Sequence, residues 1–189
     1  MTVLKVGIIG CGGIARGKHF PSLAQVKEVE MVAFCDIVVE RAEEAQEQYG
    51  TADSQVFSDY KEMLAAMDLD VVHVCTPNVS HAEISIAALE AGNHVMCEKP
   101  MAKTTAEARE MIEVAKRTGK KLTIGYQNRF ATESRYLQEV CAAGELGEIY
   151  SAKAHAIRRR AVPTWGVFLD EEAQGGGPLI DIGTHALDL

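Results

Sequence analysis

The sequence predicts an α/β fold, a doubly wound parallel sheet with helices on both faces, followed by a smaller and incomplete α+β unit. Three observations carry this. Short β-rich apolar runs alternate with stretches of helical period from Val3 to Tyr126. The first run ends in a glycine loop that opens a helix. Past residue 130 the pattern changes to one helix, one alternating stretch and one helix start, too little to close a sheet.

Val3, Val6, Ile8 and Ile9 form the first strand, suited to burial on both faces. It runs into Gly10-Cys11-Gly12-Gly13-Ile14-Ala15, a match to G-x-G-x-x-G/A. Gly10 makes the tight turn, and Gly12 lets backbone approach a pyrophosphate without a Cβ in the way. Ala15 lets the helix lie close on the strand with its N-terminus aimed at the anion. Cys11, Gly13 and Ile14 complete the loop. Pro21 should kink or stop the helix that follows. Val29 to Cys35 is the second strand, with Asp36 and then Ile37 just past its end. The strand–loop–helix context, with an acidic residue about 20 positions on, makes the loop a dinucleotide fingerprint. Asp36 can accept hydrogen bonds from both hydroxyls of an adenosine ribose and repel a 2′-phosphate, which favours NAD over NADP. Capping of the next helix is also open to Asp36, and the two roles can coexist.

Val39, Ala42, Ala45 and Tyr49 recur at helical spacing, and Gly50 ends that helix. Ser54 to Phe57 is a short strand and Asp59 to Met67 a short helix. Asp70 to Cys75 is the fourth strand, closed by Thr76-Pro77-Asn78. The next helix carries Ile84, Ala87, Ala88 and Ala91 inward and stops at Gly92. His94 to Cys97 leads into Glu98-Lys99-Pro100. Thr104-Thr105-Ala106-Glu107 is a capping box for a helix ending at Gly119, and Leu122 to Tyr126 is the sixth strand. Ligands of such sheets sit beyond the strand C-termini. The loops at 10–13, 36, 76–78, 98–100 and 127–130 therefore share one edge, and that edge is the expected site. The chain divides into residues 1–126 and 127–189. In the second part a helix spans about Thr132 to Ala143. Glu148 to Arg160 alternates as an antiparallel strand with one wet face would.

The net charge of −8 over 189 residues offers no general attraction to nucleic acid or anionic membranes. Arg158-Arg159-Arg160 is the only dense basic run, and a partly solvated strand end accounts for it better than an anion contact. Five cysteines with no C-x-x-C pair argue for a reducing compartment, against a disulfide framework and against a metal site. No apolar run approaches the roughly 18 residues of a membrane span. The N-terminus passes straight into the first strand, so no signal peptide is expected and the location expected is cytoplasmic.

Lys99 follows a strand end and precedes Pro100, where a cis bond is accessible. In a partly desolvated cleft its ammonium can donate to a substrate oxygen and stabilise alkoxide character; a solvated lysine at a surface turn is the alternative. Asp181 and His185 stand four apart, so a helix would turn both one way. A histidine there can take an alcohol proton while the carboxylate orients it or holds substrate. A first-turn charge and a surface histidine are the bland counterpart. His81 either reaches the cofactor edge or serves the helix start.

Taken together, GIIGCGGIA, VCTPNVSH, AGNHVMCEKPMA, GYQNRF and GGGPLIDIGTHALDL resemble the Gfo/Idh/MocA family of nicotinamide-dependent sugar and polyol oxidoreductases, in the family's order and over almost the whole chain. The resemblance implies a Rossmann-type NAD-binding domain and the beginning of a substrate and dimerisation domain. It implies Lys99 as the catalytic lysine of Glu98-Lys99-Pro100, and Asp181 and His185 as the D-x-x-x-H pair with histidine transferring the proton. Gly10, Gly12, Ala15 and Asp36 match cofactor positions. Thr76, Pro77, Asn78 and His81 match the loop near the nicotinamide half. Arg129 matches the R-F at the domain junction, and Trp165 lies in a loop that often borders substrate. Family members carry a larger antiparallel sheet than this length can hold, so an incomplete second domain is expected, with a homo-oligomer for a full-length chain. The implied function is hydride transfer between NAD and a secondary alcohol of a sugar, inositol or related polyol. Two rivals stand beside it: NAD-dependent glycoside hydrolysis with no net NADH, and a non-catalytic dinucleotide-binding module.

Overall fold

Strands form where β-rich apolar runs end in turn residues, and the computed structural model describes residues 2–189 apart from 156, 158, 160–162 and 165. Six short strands make one sheet: β1 (Leu4–Ile9), β2 (Val29–Cys35), β3 (Gln55–Phe57), β4 (Val71–Val74), β5 (His94–Cys97) and β6 (Leu122–Ile124). Their order is β3-β2-β1-β4-β5-β6, and every pairing is parallel. The order reverses between β1 and β4, the switch point beside which open α/β sheets bind ligands.

The register brings the strand ends level. Ile9 pairs with both Cys35 and Val74, Val74 with Cys97, and Cys97 with Ile124. The ladder runs on for one residue. Gly10 N–H donates to the Cys35 carbonyl at 2.8 Å, Glu98 N–H to Val74 at 2.9 Å, and Gly125 N–H to Cys97 at 2.8 Å. The loops that carry the expected site residues therefore leave the sheet at one height.

Alternate strand residues feed two cores, as a period of two requires. On one face Val6, Ile8 and Phe34 pack with Ala15, Phe20, Ala42 and Ala45. These come from a π turn (Ala15–His19) running into α1 (Phe20–Leu23), and from α2 (Val39–Tyr49). On the other face Ile9, Val72, Val74 and Val95 meet Met63, Leu89 and Met111. Those belong to α3 (Tyr60–Ala66), α4 (His81–Glu90) and α5 (Thr105–Thr118). Asp59 caps α3, and the Thr104–Glu107 capping box forms at α5, which ends at Gly119 in the left-handed conformation. Pro21 sits in the first turn of α1, after the π turn. Its missing N–H falls where the helix is already wound wider, and the helix stops two residues later.

Past β6 the structure departs from expectation. α6 (Thr132–Ala142) forms with none of its residues buried. No described residue between 143 and 170 lies in a strand or helix, so the described part of the alternating stretch, residues 148–155, 157 and 159, is not in the expected strand, while 156, 158 and 160 lie outside the described residues. A strand needs a neighbour for its N–H and C=O groups, and no described strand lies beside this segment. Tyr150 and Ile157 are left exposed. The chain returns to the sheet edge through α7 (Glu171–Gln174), a π turn (Leu179–Gly183) and α8 (Thr184–Asp188). Among the described residues no helix is long and apolar enough to cross a membrane.

Candidate functional site

The glycine loop is shaped by two different demands. Gly10 has φ +92°, and a Cβ there would stand 2.7 Å from the Cys75 carbonyl, so the fold itself requires glycine. At Gly12 and Gly13 a Cβ would meet no protein atom within 4 Å. Packing does not account for glycine at those two positions, whereas close approach of a pyrophosphate does. Ala15 is fully buried against the sheet, as a small third residue should be. Arg16, which the sequence reading passed over, ties the loop down. Its Nε donates to the Cys11 carbonyl at 2.9 Å while its guanidinium pairs with Glu44 at 2.6 Å.

Asp36 is buried, and each carboxylate oxygen accepts one backbone N–H: Oδ2 from Cys11 at 2.8 Å and Oδ1 from Val38 at 2.9 Å. The carboxylate therefore fastens the glycine loop and the start of α2 together. An ionised carboxylate has about four lone-pair positions, so acceptor capacity remains for hydroxyl donors. Ile37 beside it is 91% exposed, a flat apolar surface suited to an aromatic base. Burial, then the Asp36 charge, pushes the Cys11 thiol up to about 12, so it serves as packing.

The loop after β4 is held from two sides. The His81 ring lies between the Pro100 carbonyl (2.7 Å from Nδ1) and the Thr76 carbonyl (2.8 Å from Nε2), joining this loop to the turn after β5. His81 acts on the site by placing those two loops. Asn78 Nδ2 donates to Gln174 Oε1 at 2.7 Å and to its carbonyl at 3.0 Å, which docks the end of α7. Pro77 is exposed. The Thr76 hydroxyl is buried with no hydrogen-bond partner, a polar atom at the sheet edge that the protein leaves for another molecule to satisfy.

Lys99, Asp181 and His185 come together at this edge. The Lys99–Pro100 bond is cis. Lys99 Nζ donates to Asp181 Oδ1 at 2.9 Å and to the Asp181 carbonyl at 3.1 Å, with both side chains largely shielded from water. His185 is buried edge-on against the Tyr126 ring, and its Nδ1 has no partner. Burial, then the Lys99 charge, holds its imidazole below the ordinary range and so in the neutral form. A neutral histidine with a free ring nitrogen, beside a carboxylate-steered ammonium, is equipped to take a proton from a hydroxyl that the ammonium polarises.

Glu98 turns away from this group toward two histidines that the sequence reading did not single out. Its Oε1 lies 2.8 Å from His19 Nε2, and His19 Nδ1 lies 2.9 Å from His73 Nδ1. A signal for both existed. His73 interrupts an apolar strand, and His19 stands one turn beyond Ala15 on the face that packs on the sheet. Arg129 makes a two-pronged pair with the shielded Asp188 carboxylate of α8, at 2.8 and 2.5 Å. Trp165 lies outside the described residues.

The residues present fit a dinucleotide: bare glycines at 12 and 13, spare acceptors on Asp36 and an unpartnered Thr76 hydroxyl. Comparison with known proteins agrees. Residues 4–126 match the description "Oxidoreductase family, NAD-binding Rossmann fold", and residues 134–189 match "GFO/IDH/MocA C-terminal domain". A D-glucoside 3-dehydrogenase of Escherichia coli (strain K12) is 48% identical over 185 residues, covering 98% of this chain and 52% of that protein. An inositol 2-dehydrogenase of Salmonella typhimurium (strain LT2) is 34% identical over 164 residues, covering 86% and 48%. The crystal structure of an NAD-binding protein from Listeria innocua superposes with a TM-score of 0.80 at 30% identity, covering 98% of this chain and 53% of that one. The chain spans about half the length of the curated relatives it matches. It belongs to the Gfo/Idh/MocA family of oxidoreductases.

Proposed function

We propose that this member of the Gfo/Idh/MocA family, with its NAD-binding Rossmann fold, is an NAD-dependent dehydrogenase for a secondary alcohol of a sugar, inositol or related polyol. The observation that carries the reading is the placing of Lys99, Asp181 and His185 beside the dinucleotide edge. Lys99 Nζ is 2.9 Å from Asp181 Oδ1, and His185 is buried, neutral and unpartnered at Nδ1. The matched D-glucoside and inositol dehydrogenases support the substrate class.

In this reading Gly12, Gly13, Ile14 and Asp36 hold the dinucleotide, with Cys11 and Ile37 flanking, and Thr76, Asn78 and Pro100 line its nicotinamide side. NAD, when bound, supplies the acceptor for the hydride that leaves the carbinol carbon. His185 takes the hydroxyl proton, so the alcohol becomes a carbonyl with atoms and charge balanced. Lys99 donates a hydrogen bond to the same oxygen, and Asp181 keeps the ammonium aimed. Residues 1–126 form the cofactor domain and 127–189 begin the substrate domain, where Arg129 borders substrate. A cytoplasmic location and a homo-oligomeric full-length chain belong to the same proposal.

Incubation with NAD and a panel of hexoses, glucosides and inositols should produce NADH, read at its own absorbance band. Lys99→Ala should lower kcat by about 100-fold or more, as loss of an electrostatic donor to a developing alkoxide does. Near-normal turnover in that variant removes Lys99 from the mechanism. Released sugar without NADH moves the chain to the glycoside hydrolases.

A further inference from the structure

Three groups beneath the site, His19 buried and Glu98 and His73 half-buried, have no part in the chemistry above. His19 is central, with Nε2 at 2.8 Å from Glu98 Oε1 and Nδ1 at 2.9 Å from His73 Nδ1. Two imidazole nitrogens at that separation share one proton, since two lone pairs or two N–H groups would repel. With Glu98 ionised, His19 Nε2–H donates to the carboxylate. Neutral His19 then accepts at Nδ1, and His73 Nδ1–H is the donor. The state of Glu98 therefore fixes the tautomers of two histidines on two other elements. Glu98 also reaches forward, for its Oε2 accepts the Lys99 N–H at 3.2 Å. Gly125 makes room for it; a Cβ there would stand 3.1 Å from Oε1.

We propose that His73, His19 and Glu98 form a hydrogen-bonded relay of positioning residues. The relay fixes the backbone of Lys99 against β4 and the glycine-loop helix, and it keeps one negative charge beneath Lys99 and His185. The proposal rests on the dehydrogenase reading for its effect on turnover. The surroundings agree with it. Burial pushes the Glu98 carboxyl up, but the hydrogen bonds from His19 and from the Lys99 N–H, with the Lys99 charge, bring it below its ordinary value, so it is an anion. Burial takes His73 down to about 4, so it is neutral and has one N–H to give. The groups facing Glu98 are His19, His73, Lys99, His185 and the thiols of Cys75 and Cys97. Those facing His185 are Lys99, Glu98, Asp181, Asp188 and the Tyr126 ring. Among them Lys99 lowers the proton affinity of His185, and Glu98 raises it.

Imidazole nitrogen NMR on the labelled protein tests the relay without turnover. The expected tautomers at neutral pH are His19 protonated at Nε2 and His73 at Nδ1; a neutral His73 carrying its proton at Nε2 beside a neutral His19 overturns the proposal. His19→Leu cuts the relay. Should it not fold, His19→Gln keeps one donor toward Glu98 while ending the bridge to His73. In either variant kcat for the polyol should fall about tenfold or more, with KM within about threefold and NAD still bound. In His19→Leu, which offers Glu98 no donor, burial drives the carboxyl toward its neutral acid. The loss of that charge lowers the proton affinity of His185, so the acidic limb of the oxidation profile moves to lower pH. A merely structural role would leave that limb in place. Wild-type kcat in both variants, or an unmoved limb in His19→Leu, overturns the proposal. Absence of NADH from the wild-type protein with every polyol removes the dehydrogenase reading instead, and the tautomers still decide the relay.

Discussion

A single carboxylate shows how closely fold and cofactor choice are joined at the residue scale. Asp36 spends one lone pair of each oxygen on the Cys11 and Val38 amides, so the group proposed to discriminate between dinucleotides also sets the glycine loop. Asp36→Asn is not a neutral swap. The amide nitrogen must face one of two N–H donors, leaving that donor unsatisfied at a cost of about 1–3 kcal/mol. The wild-type protein should bind NAD at least about tenfold more tightly than NADP, because the buried anion repels a 2′-phosphate. In Asp36→Asn the affinity for NAD should fall about tenfold or more, and the ratio between the two cofactors should narrow. Isothermal titration with each cofactor reads both effects; NADP binding as tight as NAD in the wild type would remove Asp36 from cofactor selection.

At the scale of elements, the Thr104 cap joins sequence to stability most directly. The hydroxyl accepts the Glu107 N–H at 3.2 Å, and the Glu107 carboxylate accepts the Thr104 N–H at 2.9 Å, so two orphan amides at the head of α5 are satisfied together. Thr104→Ala should destabilise the protein by about 1 kcal/mol, read as a lower urea midpoint with unchanged slope. A midpoint equal to wild type would mean that water satisfies those amides as well. Capping boxes, strand runs and the glycine loop were legible because each is written in a few neighbouring residues. The strand expected at 148–160 was not, because a period of two says how a segment would face and nothing about whether a neighbour will pair with it. His19 and His73 escaped for a related reason. They lie 54 residues apart and meet only through the sheet, so their bond exists in the topology and not in either local stretch. Lys99 is likewise remote from Asp181 and His185, 82 residues before the first of them. All three were legible through the resemblance of their motifs, and the level strand ends and α8 then bring them within reach.

The whole molecule concentrates its buried titratable groups beneath one edge of the sheet, and that placing governs its response to acid. Burial leads in lowering both His73, to about 4, and His185, so each is neutral when folded and takes up a proton more readily when unfolded. Between the ordinary imidazole value of 6.5 and the folded values the unfolded chain binds more protons, and stability must fall as pH falls. Glu98 acts in the same sense. Its folded value is depressed on balance, so the stability it contributes is present above its unfolded value and is lost as pH drops through the folded one. For His73 the displacement from 6.5 to about 4 corresponds to about 3 kcal/mol, a large share of the 5–15 kcal/mol typical of a domain. Urea unfolding at pH 7, 6, 5 and 4.5 should therefore show a midpoint that declines steadily below about pH 6.5. His73→Gln should flatten that decline, because an amide has no proton to gain on unfolding. A midpoint unchanged from pH 7 to 4.5 would mean that the two histidines are solvated in the folded protein, and a decline of equal steepness in His73→Gln would assign it to His185 alone.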